Sequence, residues 1–182
     1  MTLQRKKMVI LDRDGVINYD SDEFIKTPDE WRPIPGSLSA IKKLNDAGII
    51  VTVASNQSGV ARGLFSETAL HTIHRKLTDL LAERGAHIDH IEYCAHAPDH
   101  HCECRKPKAG MINKLLKQFK IDPKDAIVVG DAFRDLQAGQ AAGCDVVLVK
   151  TGKGEKTLTE HKITIPVFSD LRSVVDEMLA NG

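Results

Sequence analysis

Four short apolar runs, rich in β-branched residues, constrain this chain more than any other feature. They are MVIL at 8–11, IIVTVA at 49–54, IVVG at 127–130 and VVLV at 146–149. Runs this short, with no polar alternation, read as strands covered on both faces, the habit of a parallel sheet. IDHIEY at 88–93 is a weaker strand between the second and third of them. Helical stripes fill the intervals. Leu70, Ile73, Leu77, Leu80 and Leu81 recur at helical spacing, with Ser66 as a start cap and Gly85 as a stop. Met111, Ile112, Leu115, Leu116 and Phe119 make a second stripe, DPKD at 122–125 carries turn and cap signals, and 169–182 reads as a terminal helix. Strands alternating with helices give βαβ units, so the expected fold is α/β, a Rossmann-like three-layer sandwich with a mostly parallel sheet.

The chain has 182 residues and no repeat, low-complexity tract or interdomain linker, so residues 1–182 are expected to form a single domain. Segments 15–35 and 94–108 fit neither strand nor helix, and long irregular loops in a compact domain usually carry function. Lys plus Arg is 25 and Asp plus Glu is 25. That balance argues against a nucleic-acid partner, which would show as a basic excess. No apolar run is long enough to span a bilayer. The start, MTLQRKKMVILD, has only Met8–Leu11 as its apolar stretch, too short for a secretory signal. A soluble cytoplasmic protein is expected. Three of the four cysteines crowd into CAHAPDHHCEC, which in a reducing compartment points to metal rather than disulfides. Cys144 stands apart and reads as an ordinary buried thiol.

Open α/β sheets bind ligands beyond the carboxyl ends of their strands. Each unusual polar cluster of this chain falls there: Asp12 to Asn18, Ser55 to Gly59, Cys94 to Lys108, and Asp131 to Asp135. Asp12 and Asp14 at one strand end repel, and a hard cation such as Mg²⁺ relieves this. Asp131 can add a carboxylate to the same ion, with Asp135 one helical turn on as support. A Mg²⁺ site beside an aspartate free to attack suggests phosphoryl transfer through an aspartyl-phosphate. The anionic substrate then needs donors and cations. Ser55, Asn56, Gln57 and Ser58 with their backbone N–H groups, and Arg105 and Lys106, are the candidates. Singly, Asp14–Gly15 is an ordinary turn and Asp131 an ordinary helix cap; together at strand ends they favour catalysis. Cys94, His96, Cys102 and Cys104 suit a closed tetrahedral Zn²⁺ site of structural type, with His100 and His101 competing for the nitrogen position. Such a site would fix Arg105 and Lys106, the next two residues. His71, His74, His87 and His90 read as surface or satisfied residues. Trp31 is expected to anchor the 15–35 loop, in which Asp20, Ser21 and Asp22 are candidate sugar-hydroxyl contacts.

LDRDGVIN, ASNQSGVARG, CRKPKAGM and VGDAFRD, in this order, resemble the haloacid dehalogenase superfamily of phosphatases. More narrowly they resemble the D-glycero-D-manno-heptose-1,7-bisphosphate 7-phosphatases, with histidinol-phosphate phosphatases as near relatives. The resemblance implies a haloacid dehalogenase fold without a large cap domain. It implies Asp12 as nucleophile and Asp14 as general acid/base, with the Asp14 carbonyl also on Mg²⁺. Ser55, Lys106 and Asp131 take the remaining motif positions, and His96 is favoured as the zinc nitrogen. NQSGVARG and RKPKAGM favour a heptose bisphosphate substrate, hence a role in making nucleotide-activated heptose. The five-residue gap between His96 and Cys102 is like that of the histidinol-phosphate enzymes, which keeps histidinol phosphate as an alternative. An inactive zinc-stabilised binding module is the alternative from a different class. The expected partner is a small phosphosugar, bound by a monomer.

Overall fold

The computed structural model describes residues 2–181. Six strands form one sheet: β1 Met8–Leu11, β2 Ile50–Asn56, β3 His90–Cys94, β4 Ala126–Gly130, β5 Asp145–Val149 and β6 Val167–Phe168. The helices are α1 Ser37–Asp46, α2 Glu67–Ala82, α3 Gly110–Phe119, α4 Phe133–Ala141, α5 Gly154–Glu160 and α6 Leu171–Ala180. The strand order is β3-β2-β1-β4-β5-β6, and every neighbouring pair is parallel. The sheet is therefore wholly parallel, as the unbroken apolar runs require.

Alternate residues of β1 feed two separate cores. Val9 and Leu11 pack with Val51, Val53 and the apolar faces of α1, α2 and α6. Met8 and Ile10 pack with Val128, Leu148 and the faces of α3 and α4. The three layers follow from this two-sided burial. Ser66 caps α2 by accepting from the Ala69 N–H, and Gly85 lies just past its end at φ +65°. Asp170 caps α6 in the same way through the Ser173 N–H.

Two elements depart from the sequence reading. Strand β2 runs on to Asn56, so Ser55 and Asn56 are its last ladder residues, in register with Tyr93 and Cys94. Strand β6 has only two residues, too short to leave an apolar signature in the sequence. Trp31 is fully buried in the core with Val16, Ile17 and Ile25, and so anchors the 15–35 loop.

From β1 the chain winds outward through β2 to β3, returns to β4 beside β1, and winds the other way through β5 to β6. The order reverses between β1 and β4. Their carboxyl ends therefore flank the crevice where this architecture places its ligands. Asp12 follows the end of β1, and Asp131 follows the end of β4.

Candidate active site

Asp12 is 6% exposed and sits directly on the end of the ladder, its N–H donating to the Val129 carbonyl at 3.0 Å. Lys106 lies beneath it, 2% exposed. The ammonium reaches Asp12 Oδ1 at 3.0 Å and Asp135 Oδ1 at 2.7 Å, and donates to the Ala54 carbonyl at 2.7 Å. Asn56 secures this lysine: its Oδ1 accepts from the Lys106 N–H and its Nδ2 donates to the Lys106 carbonyl. Asp135 also accepts from the Ala132 N–H at 3.0 Å. Asp131 accepts from the Lys153 N–H at 2.7 Å, and its carbonyl accepts from Thr157 Oγ1.

One carboxylate oxygen each from Asp12, Asp131 and Asp135 lies within 4.8 Å of the others. All three residues are buried, and one ammonium is ion-paired with two of them. Burial and then repulsion from Asp135 push the Asp12 carboxyl up to about 6. Burial and then repulsion from Asp12 and Asp135 push Asp131 up to about 8. Burial opposes ionisation of Asp135 too, but Lys106 and Arg134 outweigh it and hold that group below the usual carboxylate range. An all-oxygen donor set short of positive charge fits a hard divalent cation. Gly15 and Gly152 wall in this cluster at φ +87° and +58°. A Cβ on either would lie 2.1 or 2.2 Å from Asp131 Oδ2, so only glycine permits the approach.

The second aspartate of D-x-D is turned elsewhere. Arg13 Nε donates to Asp14 Oδ1 at 3.0 Å and Arg13 Nη2 to Oδ2 at 3.1 Å. Asn18 Nδ2 adds a bond to Oδ1 at 2.8 Å, and Gln57 Nε2 adds one to Oδ2 at 3.0 Å. Burial alone would raise this carboxyl, but the Arg13 charge and these hydrogen bonds hold it below its ordinary range. The side chain of Asp14 is therefore outside the three-carboxylate cluster.

A cleft of about 240 Å³ opens above these groups. It is lined by Asp12 and Asp14, by Asp20, Ser21 and Asp22, by Asn56, Gln57 and Ser58, and by Arg105. Ser55 and Lys106 lie below its floor, the Ser55 hydroxyl accepting from Gln57 Nε2 at 2.8 Å. Asp20 accepts from the Ser21 N–H and pairs with Lys153 at 3.3 Å. Sequence reading missed Arg62, Arg134 and Lys153 on this wall. The Arg134 Nε is buried and has no hydrogen-bond partner among the described residues. Its charge is held up by Asp135, Asp12 and Asp131, which outweigh its burial.

The cysteine loop closes as the spacing suggested. Cys104 Sγ lies 2.9 Å from Cys94 Sγ, 3.4 Å from Cys102 Sγ and 3.2 Å from His96 Nδ1. The four ligand atoms lie within 4.8 Å of one another. His100 is taken up by the Ala97 N–H, which donates to its Nδ1, and His101 lies outside the cluster. Three sulfurs and one imidazole nitrogen, four ligands in all, suit a closed tetrahedral metal.

Comparison with known proteins supplies the family. Residues 103–174 match a HAD-hydrolase-like family model. The D-glycero-β-D-manno-heptose-1,7-bisphosphate 7-phosphatase of Pseudomonas putida is 49% identical over 95% of this chain and 99% of its own. The enzyme of the same name from Bordetella bronchiseptica is 47% identical over 95% and 98%. A crystal structure of the B. bronchiseptica enzyme with magnesium and phosphate superposes with a TM-score of 0.95, covering 97% of this chain and 99% of that one. The chain belongs to this phosphatase family. It is thus a phosphoric monoester hydrolase of the HAD type. Within that family frame Arg13, Arg62 and Arg134 had a sequence signal after all, since they lie inside LDRDGVIN, ASNQSGVARG and VGDAFRD. Lys153, in the short turn between β5 and α5, had none. Among the described residues no helix is long and apolar enough to cross a membrane.

Proposed function

We propose that this chain is a Mg²⁺-dependent phosphatase that removes the 7-phosphate of D-glycero-D-manno-heptose 1,7-bisphosphate through an aspartyl-phosphate. The observation that carries the chemistry is Asp12, ion-paired to buried Lys106 at the switch point and within 4.8 Å of two further carboxylates. Asp12 attacks phosphorus, and Asp14 gives a proton to the departing sugar oxygen. Asp14 then takes a proton from the water that hydrolyses the aspartyl-phosphate. Lys106 and the donors of Ser55 to Ser58 offset charge on the transferring group. Asp12, Asp131 and the Asp14 carbonyl would hold Mg²⁺, with Asp135 aligning Lys106 and the metal side. When bound, the ion supplies Lewis-acid stabilisation of the phosphoryl oxygens. Zn²⁺ on Cys94, His96, Cys102 and Cys104 would keep Arg105 and Lys106 in place.

The bisphosphate reading is supported by the unpaired charge in the cleft. Asp12, Asp14 and Asp20 already have cations of their own in Lys106, Arg13 and Lys153. Arg62, Arg105 and Arg134 are left facing the cleft without an ion-paired acid among the described residues, against Asp22 as the lining acid without an ion-paired cation among them. Three guanidinium groups without ion-paired acids against one such carboxylate, Asp22, leave a positive excess that suits a second phosphate better than a substrate carrying an amine, such as histidinol phosphate. The full set of Asp12, Asp14, Lys106 and Asp131 likewise disfavours an inactive binding module. We infer one domain over residues 1–182, acting as a cytoplasmic monomer in nucleotide-activated heptose synthesis, because one chain brings together every group the reaction needs.

The test is phosphate release with Mg²⁺ from heptose 1,7-bisphosphate and, in parallel, from histidinol phosphate, for wild type and Asp12→Asn. Turnover of the bisphosphate that vanishes in the variant is expected. Preference for histidinol phosphate would overturn the substrate, and persistent turnover in Asp12→Asn would overturn the nucleophile.

A further inference from the structure

Arg13 is fully buried although it stands between two aspartates at the mouth of a polar cleft. Its side chain runs away from the cleft and under α2. A buried guanidinium has five N–H donors to satisfy, and here the partners are specific. Nε and Nη2 grip both oxygens of Asp14, and Nη1 lies 3.2 Å from His74 Nε2. A guanidinium can only donate, so Nε2 must present its lone pair and the neutral ring must carry its proton on Nδ1. Burial and then the Arg13 charge push His74 down to about 3, so this acceptor is kept throughout the neutral range. On α2, His74 occupies the buried face with Leu70, Ile73, Leu77 and Leu81, where an apolar residue would satisfy packing alone. Its hydrogen bond to Arg13 is the polar contact it makes there.

Asp14 thus receives four donors, two on each oxygen: Arg13 twice, Asn18 and Gln57. Four donors match the ionised carboxylate that Asp14 becomes once its proton has gone; while the proton is on Oδ2, the Gln57 amide has to turn its Oε1 to accept it. When the P–O bond to the sugar breaks, its electron pair stays on oxygen, which takes the Asp14 proton while the phosphoryl group passes to Asp12. Asp14 becomes the carboxylate that these donors fit. We propose that Arg13 and His74 are positioning residues for proton donation, His74 fixing the guanidinium and the guanidinium receiving Asp14 as it loses its proton. This rests on the phosphatase reading with Asp14 as the acid.

The effect must then grow with the leaving group's need for a proton. An alkoxide leaving from a sugar needs one; p-nitrophenolate leaves as a stable anion. The readout is the ratio of kcat for heptose 1,7-bisphosphate to kcat for p-nitrophenyl phosphate, measured on one sample so that the folded fraction cancels. General acid catalysis is worth about 10²- to 10⁴-fold, so His74→Leu, which misplaces the acid without removing it, should lower the ratio by roughly 10-fold or more. His74→Gln, whose Oε1 can accept from Arg13, should hold the ratio within about 3-fold of wild type, a small part of the general-acid effect. An unchanged ratio in His74→Leu, or equal losses in His74→Leu and His74→Gln, would overturn the proposal. Asp14→Asn is the separate control. If it leaves the ratio unchanged, Asp14 is not the acid and the parent reading fails whatever His74 does; if wild type does not turn over the bisphosphate, both fail.

Discussion

Binding of Mg²⁺ beside the clustered carboxylates of Asp12, Asp131 and Asp135, the first two being its ligands, should release close to one proton at pH 7. Their ligand oxygens lie within 4.8 Å of one another. At that outer distance and an effective dielectric of about 20, each like-charge pair repels by ~3.5 kcal/mol, equivalent to roughly a 300-fold change in proton affinity. Lys106 is ion-paired with Asp12 and Asp135 and has no pair with Asp131, whose oxygen is met by the Lys153 N–H. Asp131 is accordingly pushed up to about 8 and Asp12 to about 6. At pH 7, Asp131 is then about 90% protonated and Asp12 about 10%, so a cation that requires both ionised displaces about one proton. The sign follows. Protons compete with the metal, so apparent affinity rises with pH through about 6 and again up to about 8, then levels off. Titration calorimetry at pH 7 in buffers of different ionisation enthalpy counts the protons directly. Asp131→Asn should remove most of the release while weakening the metal. Heats that do not depend on the buffer, or a release that survives in Asp131→Asn, would show that Asp131 is ionised before the metal arrives, and the charge argument would fail.

Two further outcomes test the walls of the cleft. Arg134→Met should raise KM for the bisphosphate by about 10- to 100-fold, the worth of a charged hydrogen bond, and leave KM for p-nitrophenyl phosphate nearly unchanged because that substrate lacks a second phosphate. Equal effects on both would place Arg134 at the transferred phosphoryl group instead. Zinc should be found at about one atom per chain by metal analysis, as four ligands in a closed set require. Cys102→Ser or a strong chelator should lower the thermal midpoint and raise KM together, since the ligand Cys104 directly precedes Arg105 and Lys106. Loss of zinc with unchanged kinetics would detach the metal from the active site.

The strands that position the site were legible because central parallel strands are apolar on both faces, and short apolar runs mark them whatever lies between. Strand ends locate chemistry in this architecture, so Asp12, Lys106, Asp131 and the cysteine cluster could all be picked out from their places in the chain. What the chain order could not express was which groups answer one another across it. D-x-D suggests two carboxylates sharing an ion, yet in the fold the Asp14 side chain faces Arg13 and it is Asp135 whose carboxylate joins Asp12 and Asp131. Arg105 and Lys106 were expected as the cations of the cleft; Lys106 lies below its floor, and Arg134 and Lys153 join Arg105 because α4 and the β5–α5 turn start at the same rim. Arg13 shows the limit most clearly. As the middle letter of a motif it is a spacer, and its charge suggests solvent. It is nevertheless fully buried, which costs stability unless each donor finds an acceptor. One acceptor, Asp14, is its neighbour, but the other, His74, is 61 residues away on α2, where the sequence reads it as a surface or satisfied residue. A charged residue that the fold buries completely, and satisfies from so far along the chain, is held there by something other than packing, and what its guanidinium grips besides His74 is Asp14.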